Sequence, residues 1–126
     1  MGPIHLFDIA SLQARWLSIR QTAIATNISN ANSPGFSALD VHPFQDVLDK
    51  TQLNLSTTNV GHISITPTEL TTTTAKSNDP WEVTRSGNSV SLEQEMMKAG
   101  DVNRSYSLNT SIVKAFNAML TQAVKG

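Results

Sequence analysis

A proline–glycine pair at positions 34 and 35 constrains this chain more than any other feature. Proline cannot continue a helix, and it drives Ser33 to an extended conformation. Pro-Gly also suits the centre of a type II turn, where glycine takes a positive φ without steric cost. Apolar residues recur at helical spacing before the pair, and that spacing resumes only near Ser91. The segment from Ala25 to Asp40 therefore ends one long helix and turns the chain outward.

The helix before it is legible in detail. Pro3 suits a first helical turn, where its missing N–H would have no partner. Phe7, Ala10, Ala14, Leu17, Gln21, Ile24, Ile28 and Ala31 then fall at alternating steps of three and four, an a/d seam with one polar interruption. Ile9, Leu12, Trp16, Ile19 and Ala23 form a second row on an adjacent face. Running from Pro3 to about Asn30, such a helix is roughly 42 Å long. Two apolar rows demand partners on more than one side.

Past the turn, Phe44, Val47 and Leu48 predict a short helix. Residues 51–84 hold ten threonines, and His62 to Thr66 alternate in a way that suggests a short strand. Asn78-Asp-Pro-Trp81 reads as a further turn. Ser91-Leu-Glu-Gln94 has the form of a capping box, with Glu93 and Glu95 placed to complement the helix dipole. Val102, Tyr106, Asn109, Val113, Phe116, Leu120 and Ala123 then continue at helical steps nearly to Gly126, with Ile112, Met119 and Val124 broadening the seam. Met96 and Met97 read as core fillers, and Gly100 as a place where the helix could bend.

These patterns predict a mainly α fold. Long N- and C-terminal helices pack as an antiparallel coiled-coil hairpin, joined by an extended Thr-rich connector with room for a short β-hairpin. The divisions are 1–32, an N-terminal helix of an axial core; 33–88, a connector; and 89–126, a C-terminal helix of the same core. Charge follows this division: residues 1–31 and 89–126 each carry a net +1, and 32–88 a net −3. Pairing one row from each helix leaves the second row of the first helix uncovered, and an apolar stripe of that length marks an interface. The chain reads as a subunit of an assembly.

Other function classes find no support in the residues. A formal net charge of −1 gives no basic footprint for nucleic acid. With no cysteine there are no disulfides or thiolate metal sites. His5, His42 and His62 stand without neighbouring ligands, so no metal site is expected. Glu93 and Glu95 lie two apart on a helix and point to different faces, which is unsuitable for joint acid–base chemistry. No catalytic residues and no cofactor are expected. Asn27, Asn54, Asn103 and Asn109 each begin an Asn-x-Ser pattern, most of them inside helices, where chance accounts for the match. No run reaches the roughly 20 apolar residues needed to cross a bilayer. The N-terminus lacks the basic and apolar regions of a cleaved leader.

The run Ile24-Ala-Thr-Asn-Ile-Ser-Asn-Ala-Asn-Ser-Pro-Gly-Phe36 resembles the signature of bacterial flagellar rod and hook proteins. Ser37-Ala-Leu-Asp40 with Phe44, Gly61-His62-Ile63, Gly87 through Met97, and Tyr106 extend the resemblance toward the proximal-rod branch. Leu39 departs from it, standing where that family more often has a basic residue. The resemblance implies a structural subunit of the flagellar basal-body rod, exported through the flagellar type III apparatus without a cleaved leader. It implies stacking with other rod subunits inside the periplasm, near the membrane-ring protein and its rod adaptor, with a part in transmitting torque. A sister rod subunit or a generic helical adaptor is the alternative. On the rod reading the assembly interface comprises Phe7, Leu17, Ile24, Asn27, Ile28 and Asn30 of the first helix and Pro34, Gly35 and Phe36 of the turn. Tyr106, Val113, Phe116 and Leu120 complete it from the last helix.

Overall fold

The computed structural model describes residues 3–54, 75–77 and 80–126. Helix α1 spans Pro3–Ser29, strand β1 Leu39–Asp40, helix α2 Phe44–Asn54, strand β2 Ala75–Lys76 and helix α3 Leu92–Lys125. Pro3 opens α1 as its chemistry requires. The 34 residues of α3 continue through Gly100 without interruption, giving a rod about 50 Å long.

Helices α1 and α3 lie side by side with opposite polarity. Phe7 meets Phe116 edge-on, with ring centroids 5.6 Å apart. Further along, the Asn109 side chain donates to the Ala10 carbonyl at 3.1 Å, and at the far end Asn27 reaches Glu95. Because α3 is the longer helix, residues 121–126 run past the start of α1 and are all exposed.

The core sits toward the C-terminal half of α1. Trp16, Leu17, Ile24 and Val102 are buried together, with Val41, Phe44, Val47 and Ala99 packed against them. The Trp16 indole donates to the His42 carbonyl at 2.8 Å, and its ring lies 5.8 Å from that of Phe44. Burial of these apolar side chains is the main stabilising term. The second row of α1 is therefore not left open as expected. The chain turning back after Pro34 lays 41–47 over Trp16, and Ala23 in the same row is buried as well. Apolar exposure falls on α3 instead, where Tyr106, Ile112, Met119 and Val124 face outward rather than joining the packed seam. Met96 and Met97 are likewise surface residues, 65% and 58% exposed, and not core fillers.

The connector is not wholly extended: α2 occupies 11 residues of it, beginning at Phe44 as predicted. Strands β1 and β2 pair antiparallel, Leu39 opposite Lys76 and Asp40 opposite Ala75. The strand expected at His62–Thr66 lies outside the described residues, as do most of the threonine run and the start of the turn expected at Asn78. The capping box at Ser91 does not form. Ser91 makes no side-chain cap bond; its hydroxyl donates to Glu93 at 3.2 Å. Gln94 accepts instead from the Trp81 amide at 3.4 Å. A neighbour two residues on occupies the serine hydroxyl, and a residue 13 positions away engages the glutamine.

Candidate functional site

The polar residues around the Pro-Gly turn form the most highly organised part of the molecule. The turn itself is of the predicted type: the Phe36 amide donates to the Ser33 carbonyl at 3.3 Å, and Gly35 has φ +72°. A second left-handed glycine, Gly87 at φ +81°, packs against it; a Cβ there would sit 3.6 Å from the Gly35 Cα. The two turns are laced by backbone bonds from Gly35 to Ser86 at 2.9 Å and from Ser89 to Phe36 at 3.0 Å. The Ser89 hydroxyl also accepts from the Ala38 amide at 2.8 Å.

Two asparagines key this joint to the helices. The last carbonyls of a helix have no partners within it. Just past the end of α1, the two hydrogens of the Asn88 carboxamide nitrogen are shared among three turn carbonyls, those of Asn30 at 2.8 Å, Ala31 at 3.0 Å and Ser33 at 2.8 Å. Its oxygen accepts from the Val90 amide at 2.8 Å. Asn27 is fully buried. It reads both backbone groups of Leu39, donating to the carbonyl at 2.7 Å and accepting from the amide at 2.8 Å. It also donates to Glu95 at 3.1 Å. Since the main chain of Leu39 is what Asn27 holds, the departure of its side chain from the family pattern leaves the contact intact.

Glu95 is equally buried, so dipole complementarity is not its main role, as the sequence had suggested. Lys98 bonds it at 3.2 Å and reaches Asp40 at 3.3 Å, and Asp40 meets Arg20 at 3.3 Å. Charges alternate along this chain, from Arg20 through Asp40 and Lys98 to Glu95. Among the described residues every buried side-chain polar atom has a partner. Such a network specifies an arrangement more than it stabilises one, since desolvation offsets much of the attraction.

The structure separates the residues expected at the interface into groups. Leu17, Ile24 and Asn27 are buried against the chain's own elements. Phe7, Asn30, Phe36, Val113, Phe116 and Leu120 are half-buried. Ile28, Pro34, Gly35 and Tyr106 are exposed. Sequence reading missed Asn88 and Leu108, and it placed Ile112 and Met119 in the packed seam, where the structure leaves both exposed. The Asn30 to Ser33 carbonyls offered the one signal for Asn88, because a helix end so close to Pro34 needs a cap. Nothing in the arrangement suits catalysis, and no group of His, Asp and Glu among the described residues could hold a metal ion. No helix among them is long and apolar enough to cross a membrane.

Two long helices locked at one end, with large apolar side chains left on the outside of one, define a subunit built for assembly. A scan against models of known protein families gives no match. Among curated proteins, the chain is 44% identical over 129 aligned positions to the flagellar basal body rod protein FlgB of Agrobacterium fabrum (strain C58), covering 99% of this chain and 96% of that protein. The chain belongs to the FlgB family of flagellar basal body rod proteins. It is a structural component of the rod.

Proposed function

We propose that this chain is a subunit of the proximal rod in which α1 and α3 form the axial wall as an antiparallel coiled-coil hairpin. Residues 1–32 and 89–126 belong to that wall, and 33–88 bridge neighbouring subunits. Stacked with other rod subunits in the periplasm, and meeting the membrane-ring protein and its rod adaptor, it carries torque from ring to rod. It is exported by the flagellar type III apparatus.

The observation that carries this reading is the outer row of α3. Leu108, Ile112 and Met119 lie on one side of the helix at 62%, 45% and 60% exposure. Side chains of this size left in water along a packed helix mark a surface that a partner covers. On this reading Ile28, Tyr106 and the half-buried Phe7, Val113, Phe116 and Leu120 belong to the assembly interface as well. The test is a strain carrying Ile112→Asp and Met119→Asp, with the purified variant checked by circular dichroism. A folded variant that leaves cells non-motile and without rods is expected. Normal swimming with normal rods would sink the assignment of this row to assembly.

A further inference from the structure

Antiparallel helices are ordinarily held in register by a short loop, commonly of two to eight residues. Here residues 30–91 intervene between α1 and α3, yet the end of one lies directly beside the start of the other. Beside the backbone bonds that lace Gly35 to Ser86 and Ser89 to Phe36, the Asn88 side chain ties the two helix ends together. It holds the carbonyls of Asn30, Ala31 and Ser33 just past the end of α1, groups as much as 58 residues away in sequence. Its oxygen holds Val90, two residues before α3 begins. The route from α1 through this carboxamide into α3 is as short as an ordinary helix–helix turn.

We infer that Asn88 closes the helix pair non-covalently and determines the register in which α1 and α3 meet. Two other polar contacts cross the same interface, and a buried asparagine can set register in a coiled coil. Neither is as discriminating. Asn109 makes one bond to the Ala10 carbonyl, and α1 offers equivalent carbonyls on that face at each heptad. Glu95 loses Asn27 if α3 slips, but keeps Lys98, which lies on its own helix and moves with it. Asn88 is different because its three acceptors come together only in the turn just past α1. It is 2% exposed, so a slipped arrangement would leave its two buried donor hydrogens unpaired. The inference concerns the chain by itself, whatever it assembles with.

The absence of cysteine allows clean labelling of the full-length chain. Nitroxides at Ser18→Cys and Asn117→Cys, both exposed positions, report the axial offset of the helices by double electron–electron resonance. A one-heptad slip changes that offset by about 10 Å. The parent and the double variant Glu95→Met, Asn109→Leu are expected to give one narrow distance. Asn88→Ala and Asn88→Asp are expected to add a second population displaced by about 10 Å while circular dichroism still reports helix. The Asp variant should be at least as disturbed as Ala, although it matches asparagine in shape, because it sets a carboxylate against three carbonyls. A residue that merely stabilised the fold would lower the melting temperature and leave one distance. Helical Asn88 variants with a single distance would overturn the inference. So would two distances in the parent or in the double variant, a result that decides the matter even if Asn88 variants lose their helices.

Discussion

Asn27 carries two donor hydrogens and an acceptor oxygen, and all three are engaged, with Leu39 on one side and Glu95 on the other. Substitution to alanine removes the partner of buried groups on two elements while leaving those elements in place, the more expensive way to break a hydrogen bond. Asn27→Ala should cost about 2–4 kcal/mol, seen as a lower urea midpoint at unchanged slope. Asn27→Asp should cost more, since it places a second carboxylate beside the buried Glu95 without water to screen the pair. An aspartate variant as stable as the parent would contradict the geometry. The pattern Asn27-Ile-Ser29 identifies a short polar residue near a helix end but says nothing of Glu95, its partner 68 residues on. Asn109 is comparable: buried against Ala10, it shows why a chance match to a glycosylation pattern can be a packing residue.

At the scale of elements, local chemistry was a good guide to where helices run and a poor one to how their ends are finished. Pro3 and the Pro34–Gly35 pair bracket α1, and Phe44 opens α2, because proline, glycine and periodic apolar residues act on their immediate neighbours. Ser91 obeyed the same local rules and still lost its cap bond, because Glu93 holds its hydroxyl and Trp81 holds Gln94. A serine at an N-cap is ordinarily worth about 1 kcal/mol over alanine. Here Ser91→Ala should change stability by less than about 0.5 kcal/mol, measured by thermal or urea unfolding. A loss of the usual size would show that the cap bond forms in solution. The burial of Trp16 was illegible for a related reason: what covers it is the chain at 41–47, brought back by the turn and anchored through the His42 carbonyl. Periodicity gave the two rows of α1 without indicating which would be satisfied within the chain.

For the molecule as a whole, order is unevenly distributed along the helix pair. The end built from 16–47 and 84–102 holds the charge chain, both clamping asparagines and the hydrophobic core. The other end is joined through Phe7 with Phe116 and Asn109 with Ala10, and α3 continues past it into solvent. Amide hydrogen exchange should follow this gradient, slowest around Ile24 and Val102 and fastest in the first turns of α1 and the last turns of α3. Uniform protection along both helices would contradict it. The sequence conveyed the mainly helical build and the family, since both rest on periodic or contiguous residues. It did not convey the gradient, which comes from pairs of polar residues far apart in the chain.

The Asn88 clamp has a consequence for what the middle of the chain can hold. With the helix ends fastened to each other directly, the connector outside the 41–47 cover of Trp16 and the β1–β2 pair is relieved of setting the distance between them. Doubling the length of such a detour costs only about 0.6 kcal/mol in closure entropy. Peptide epitopes or small domains can be spliced there while the paired helices keep their geometry, so the fold is suited to act as a carrier of interchangeable insertions.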